Sequence, residues 1–392
     1  MESPGELRRN VKVFGATSFF NDTATEMAYW VLPAFLVSIG AGPATLGIIE
    51  GLAESVTAAA KLWSGLLVDR VRQRKPLVVM GYTVANAVKP LLALSTAWWH
   101  VLGIRFADRL AKGVRGAPRD VMLSESVPKE RVGSAFGLLQ TMDSAGAIVG
   151  PLLALLLVSH IGLRGVFWAA AVPGLISIIA VVFFAKETGK ARAVAHEHRE
   201  RSKAPLPAAF YYLMTAVGLF SLGNSSDMFL VLRAQDIGIA ASYAPLLGLV
   251  FNITYTAFSW PAGKLSDRVS RKGLVAAGYL VFTIVYAVFA LAPSKSAIWG
   301  AFAFYGLYYA LTNPVLRAMV SHAAPAEARG RAFGIFYFVT SITALLASVI
   351  TGELWKVFGA AIPFYTSAAL SLTAAMMIIA IPKRLTERTA GS

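Results

Sequence analysis

Long apolar stretches alternate along the chain with short polar connectors. Twelve stretches are long enough to cross a bilayer as helices, over roughly 11–38, 44–68, 77–97, 99–121, 133–157, 162–185, 207–232, 243–266, 273–292, 297–320, 331–354 and 361–382. A crossing needs about 20 residues at ~1.5 Å of rise each. The third stretch is the clearest by composition. The fourth carries Arg105, Asp108, Arg109 and Lys112, and it is retained because its length fits and an even number of crossings gives a consistent topology. The pattern predicts an all-α membrane protein.

The connectors alternate in charge. One set holds Arg8, Arg9 and Lys12; Arg70, Arg72, Arg74 and Lys75; Arg119, Lys129 and Arg131; the six basic residues from Lys186 to Lys203; Arg268, Arg271 and Lys272; Arg329 and Arg331; and Lys383, Arg384 and Arg388. The opposite set holds only Arg164, Lys295 and Lys356. Basic loops stay on the cytoplasmic side, so both termini and the 186–206 segment are expected there, in a multi-pass protein of the bacterial inner (cytoplasmic) membrane. Trp98 and Trp99 suit the outer interface.

Composition agrees. Apolar residues make up 56% of the chain, charged residues 15%, and the mean hydropathy is +0.62. So few charges cannot cover a soluble domain of 392 residues, which excludes an ordinary soluble enzyme and a disordered chain alike. The net charge of +15 would suit nucleic acid, but its placement assigns it to topology, and the expected partner is membrane lipid, with no nucleic acid. Cysteine is absent, so no disulfide is needed. The polar first residues and the long first stretch with Asp22 and Glu26 do not resemble a cleavable signal. No P-loop, H-E-x-x-H or G-x-S-x-G occurs, and no enzyme activity or cofactor is expected.

The second half repeats the first. Residues 122–137, MLSESVPKERVGSAFG, match 319–334, MVSHAAPAEARGRAFG, at eight of sixteen positions. Gly65-Leu-Leu-Val-Asp69-Arg70-Val71 parallels Gly263-Lys-Leu-Ser-Asp267-Arg268-Val269. The implied organisation is an N-terminal six-helix bundle over 1–185, a cytoplasmic linker over 186–206 and a C-terminal six-helix bundle over 207–392. Parallel repeats of this kind build transporters that rock about a site near the bilayer midplane.

Both repeats carry G-x-x-x-D-R followed by basic side chains, Arg74 and Lys75 in one and Arg271 and Lys272 in the other. This resembles motif A of the major facilitator superfamily, although Arg72 and Ser270 replace its inner glycine. The resemblance covers essentially the whole chain and implies the major facilitator fold: twelve transmembrane helices in two six-helix pseudo-repeat bundles. It further implies a cytoplasmic gate of Gly65, Asp69, Arg70, Arg74, Asp120, Asp267 and Arg268, with Asp69 facing the helix start near Gly330 and Arg74 pairing with Asp120. Arg109-Leu-Ala-Lys-Gly113 resembles the family's motif B. Gly146-Ala-Ile-Val-Gly150-Pro151 resembles motif C, a mark of exporters that exchange solute for protons, with Ala154-Leu155 in place of its later glycines. The nearest likeness is to the twelve-helix drug:proton antiporter branch. Gly146 and Gly150 permit close helix packing, and Pro151 removes a backbone donor.

Ionisable groups inside a crossing are costly and usually face an interior or a wet cavity. The first half carries Asp22, Glu26, Glu50, Glu54, Lys61, Lys89, Arg105, Asp108, Arg109, Lys112 and Asp143; the second has Asp227, Arg233, Lys264, Arg317 and Glu353. Asp22 and Glu26 share a helix face, as do Glu50 and Glu54, while Arg105, Arg109 and Lys112 form a stripe on the fourth helix. A carboxylate whose proton affinity changes with burial and with an approaching cation suits proton coupling. Asp22, Glu26, Arg109 and Asp143 are the candidates for it. Asn21, Tyr29, Glu50, Glu54, Arg105, Asp227, Asn252 and Asn313 are candidate cavity or substrate-binding residues, with Asn224, Trp30 and Phe229 as further cavity-lining groups.

The reading is a secondary active transporter: a proton-coupled exporter of small organic molecules working by alternating access, functional as a monomer. Alternatives are efflux of a metal ion or chelate and proton-coupled transport of an organic anion; a membrane receptor or sensor is the alternative of another class. Against metal efflux, the crossings hold no cysteine and almost no histidine, which late transition metals favour, and no metal-binding residues are expected.

Overall fold

The computed structural model describes residues 4–41, 43–71, 73–188, 205–239, 243–291 and 294–381, without the side chains of 4–8, 33, 43–48, 50, 51, 54, 228, 244 and 245. Among the described residues there are helices and no strand. They are α1 (Pro4–Ser38), α2 (Pro43–Val68), α3 (Lys75–Val88), α4 (Trp98–Glu125), α5 (Val132–Ala169), α6 (Ala171–Ile179), α7 (Ala208–Gly223), α8 (Met228–Asp236), α9 (Ala244–Ser266), α10 (Arg271–Leu291), α11 (Lys295–Ala323), α12 (Arg329–Phe358) and α13 (Ala361–Ala380). A 3₁₀ turn, Lys89–Leu94, prolongs α3, and a π turn, Ala180–Phe184, prolongs α6.

Most predicted stretches coincide with one helix. The fifth and sixth lie in a 56-residue helical run, Lys129–Phe184, which at ~1.5 Å per residue is far longer than a bilayer is thick. Gly162 turns the run back with φ +67°, a backbone setting that glycine adopts without penalty. The seventh stretch was expected to be continuous over 207–232. It is broken instead, with Asn224–Asp227 between α7 and α8. Four successive Asn, Ser, Ser and Asp residues, whose side chains compete for backbone hydrogen bonds, explain the break.

Contacts delimit two compact units. The first comprises Met1–Pro128, Met142–Ala204 and Glu327–Ile335; the second comprises Lys129–Thr141, Pro205–Ala326 and Phe336–Ser392. Each therefore takes in the first turns of a helix from the other half of the sequence. Within the first unit α2 packs on α4, α3 on α4 and on α6, and α1 on α6. Within the second α9 packs on α11, α10 on α11 and on α13, and α7 on α13. The repeat seen in the sequence is thus a repeat of helix pairings.

Each interior holds an apolar, aromatic cluster. Met27, Leu32, Phe35, Ile49 and Phe167 form one buried cluster, with the rings of Phe35 and Phe167 edge-on at 5.0 Å. In the second unit Phe220 stacks on Tyr279 and Phe282 on Tyr286, each pair with centroids 3.9 Å apart. The outward faces are apolar as well: Leu155, Leu156, Phe183, Val172, Ile284 and Leu291 are each more than 60% exposed. Among the described residues, five helical segments are long and apolar enough, by length and composition, to cross a membrane: Lys75–Leu94, Lys129–Phe184, Arg271–Leu291, Ala326–Phe358 and Ala361–Ala380. Large aliphatic side chains at that density are stable against lipid, not against water.

Candidate functional site

The two copies of G-x-x-x-D-R make the same contact. Asp69 follows the last residue of α2, and its carboxylate accepts from the backbone amides of Gly330 at 2.7 Å and Arg331 at 2.6 Å, at the start of α12. Asp267 follows α9 and accepts from the amides of Gly133 and Ser134, both at 2.8 Å, at the start of α5; the Ser134 hydroxyl donates to it as well. Each acid occupies a helix N-terminus, where free amides and the helix dipole favour an anion. Burial pushes the Asp69 carboxyl up to about 6, against the pull of the two amides and of Arg74 and Arg331.

Glycines bring these elements together. A Cβ on Gly65 would lie 2.4 Å from the Gly334 Cα and 2.6 Å from the Gly330 carbonyl oxygen. On Gly263 it would lie 2.4 Å from the Gly133 carbonyl oxygen and 2.9 Å from the Gly137 Cα. These are backbone-to-backbone approaches that no larger residue permits.

Arg74 departs from expectation. Its partner is Glu125, Nη1 to Oε2 at 2.5 Å, one turn beyond the Asp120 expected. Asp120 is fully buried and accepts instead from the neighbouring Arg119 Nε at 2.9 Å. The cause is reach: Arg74 sits at the very start of α3, level with the last turn of α4, where Glu125 lies. Glu187 accepts from the amides of Arg74 and Lys75 at 3.1 and 2.9 Å and so caps α3. Asn10 exchanges two hydrogen bonds with the backbone of Lys186, at 2.8 and 2.9 Å. Sequence reasoning missed Glu125, Glu187 and Asn10, since nothing in their spacing marks them. Arg70 and Arg268 are exposed.

Inside the first unit the predicted charges of α1 and α4 converge. Asn21 donates to Asp22 at 2.8 Å and accepts from Asn86 at 3.1 Å; Lys89, buried, donates to Asn86 at 3.1 Å and lies 3.5 Å from Asp108. Arg105 lies 3.7 Å from Asp108 and 5.5 Å from the Tyr29 ring. Tyr29, Lys89, Arg105 and Asp108 line a crevice with room for little more than a water. Glu26, half-buried, accepts from the Trp30 side chain and lies in the field of Asp22, Lys112 and Arg109. Arg115, which the sequence reading passed over, is buried 4.1 Å from the Tyr82 ring.

The motif C glycines lie against the acids of α1. A Cβ on Gly146 would be 2.5 Å from the Phe19 carbonyl oxygen and 3.1 Å from the Asp22 Cβ; on Gly150 it would be 2.7 Å from the Glu26 Cβ. Pro151 follows within α5, and Asp143, half-buried, precedes them on the same helix. Close packing of α5 on α1 therefore positions the turn that carries Asp22 and Glu26.

The remaining candidates are dispersed. Glu50 and Glu54 have side chains outside the described residues. In the second unit Asp227 accepts from the Tyr305 hydroxyl at 2.7 Å, and Asn313 donates to the Tyr255 hydroxyl at 2.7 Å. Asn252 donates to the Gly248 carbonyl of its own helix. Arg317 donates to Gln140 and lies 5.8 Å from the Phe136 ring. Phe229 neighbours Trp355 at 6.2 Å.

Apolar outward faces, a doubled helix pairing and two equivalent capping carboxylates fit an integral membrane protein of the transporter class. The sequence profile of the Major Facilitator Superfamily matches residues 14–232 and 208–392, and the chain belongs to that family. It is 34% identical over 388 residues to an uncharacterized MFS-type transporter of Methanocaldococcus jannaschii, spanning 97% of this chain and 96% of the relative. It is 25% identical over 377 residues, 92% of each chain, to the multi-drug resistance efflux pump PmrA of Streptococcus pneumoniae. The crystal structure of the human organic anion transporter MFSD10 superimposes with a TM-score of 0.81 at 13% identity, covering 96% of this chain and 100% of that one, which shows the shared fold.

Proposed function

We propose that this transporter exports small organic molecules in exchange for protons, by alternating access, as a monomer with both termini in the cytoplasm. The observation that carries the reading is the packing of Gly146 and Gly150 against the Asp22–Glu26 turn of α1, with Lys112 and Arg109 of α4 in electrostatic reach of Glu26. A carboxylate between a desolvating helix and mobile cations exchanges a proton as those neighbours approach and withdraw. Asp22 and Glu26 are the proton carriers, Arg109 the cation that modulates them, and Asp143 a second acid on the path. Proton entry weakens the pairing of carboxylate and cation and favours reorientation, and solute leaves in exchange. Likeness to a multidrug efflux pump along 92% of the chain supports the outward direction. Asp69 and Asp267 act as latches that hold the inner side shut while their helix starts are engaged.

The test is flux in liposomes under an imposed pH gradient. Glu26→Gln is expected to abolish pH-driven exchange while expression and monodispersity are retained. Arg109→Ala is expected to shift its pH dependence. Undiminished pH-driven exchange in Glu26→Gln rejects the proton site.

A further inference from the structure

The seventh stretch departs from regular helix at Asn224–Asp227. Non-helical backbone at membrane depth is stable where protein or a water-filled cavity satisfies it, and half-helix ends at such breaks hold ligands in transporters. Asp227 occupies the cap position of α8, but its carboxylate makes no capping hydrogen bond. Oδ1 instead accepts from the Tyr305 hydroxyl. The residue is exposed, and among the described residues no lysine or arginine pairs with it. The basic residue of its own helix, Arg233, is engaged elsewhere, by the carbonyls of Phe289 and Ala290 and by Asp236. This differs from the first unit, where Asp108 lies among Lys89 and Arg105.

Aromatic rings surround the carboxylate's partner. From the Tyr305 ring, Tyr309 stands at 5.1 Å, Phe251 at 5.5 Å and Tyr308 at 5.5 Å. Asn224, in the break, donates to the Tyr308 hydroxyl, and its Oδ1 lies 3.2 Å from the Tyr305 hydroxyl as the alternative acceptor for the proton given to Asp227, so the phenols are held in register with the acid. Ring faces attract cations, and an unpaired acid in a crossing lacks a counter-ion. One carboxylate cannot supply the six to eight oxygen ligands of a hard divalent ion. The combination selects a large, weakly hydrated cation.

We propose that Asp227, with the half-buried rings of Tyr309 and Phe251 beside it, binds a lipophilic organic monocation, while the fully buried Tyr305 and Tyr308 support them from behind. The proposal rests on the exporter reading and names its substrate class. Asp227 supplies the counter-charge, the Tyr309 and Phe251 rings take the apolar substituents, and Tyr305 is a positioning residue that orients the carboxylate.

Equilibrium dialysis of the full chain in detergent tests it, with tetraphenylphosphonium as probe and tetraphenylborate, of like shape and opposite charge, as control. The parent is expected to bind the cation and not the anion. Asp227→Asn is expected to lose at least about tenfold in affinity, Asp227→Glu to recover most of it, and Phe251→Leu to lose about threefold or more. Size-exclusion profiles matching the parent show that the variants fold. Equal affinity in Asp227→Asn, binding of both ions, or binding of neither overturns the site. Liposome flux separates the two readings. Proton-driven flux of other solutes without binding of the cation removes the site and leaves the exporter. Asp227-dependent binding without any proton-driven flux removes the coupling and leaves the site.

Discussion

Leucine in place of Gly65 is expected to stop transport while the chain still inserts into the membrane. The nearest obstacles to a new side chain are the Gly334 Cα at 2.4 Å, the Gly330 carbonyl oxygen at 2.6 Å and the Gly334 amide nitrogen at 2.7 Å. All three are backbone, so no rotamer change makes room. Overfilling a packed site costs about 1–3 kcal/mol or more when only side chains must adjust. Here α2 must part from α12, and Asp69 is drawn off the amides of Gly330 and Arg331. The chain has no cysteine, so a single cysteine at Val68, fully buried in the parent, reports the separation by thiol labelling. Gly103→Leu serves as control, because nothing lies within 4 Å of its Cβ position. Gly263→Leu is expected to reproduce the effect at the equivalent crossing. Parental flux and no labelling in Gly65→Leu would show that this crossing does not need to close.

Asp69→Asn is expected to weaken the closed latch about ten- to a hundredfold and to remove its pH dependence. The asparagine oxygen satisfies one of the two amides, while its own NH₂ confronts the other. Hydrogen bonds to a charged group contribute about 1.5–3 kcal/mol each, and a buried donor left without an acceptor costs about 1–3. The parent's pH dependence has a definite sign. Burial holds the closed-state carboxyl up at about 6, whereas a released, hydrated aspartate titrates near ~4. The proton therefore binds more tightly in the closed state. Its stabilisation of that state is complete below ~4 and is lost as the pH rises through about 6. Between pH 7 and 5 the closed state gains about tenfold, or ~1.4 kcal/mol. Labelling of the Val68→Cys reporter across that range reads the change directly. A pH profile identical in parent and Asp69→Asn would remove Asp69 from the latch.

The extent and order of the helices were legible because lipid imposes a simple demand, an apolar stretch about 20 residues long. The doubled motif was equally legible, since Asp69 and Asp267 meet helix starts that follow the repeated segment itself. Helix geometry also foretold the shared face of Asp22 and Glu26. The break at Asn224–Asp227 was hidden because its flanks, Leu219–Gly223 and Met228–Leu232, are as apolar as any crossing, and average hydropathy cannot register four polar residues between them.

Ion-pair partners were the least legible. Arg74 could reach either of two acids one turn apart on α4, and the choice of Glu125 over Asp120 depends on where α3 starts. Glu187 caps α3 from more than 110 residues away, a pairing for which the sequence holds no periodic signal. Nothing in the sequence ties the tyrosines of α11 to Asp227. Their relation to Asp227 arises only from the i, i+3, i+4 placement of Tyr305, Tyr308 and Tyr309 beside a break that hydropathy does not reveal.

The borrowed segments 129–141 and 327–335 bear on how such a molecule can be divided. An isolated first half would present Asp69 with no amides to receive it, and an isolated second half would leave Asp267 equally stranded. Fragments made separately must therefore meet before either can complete its own lock.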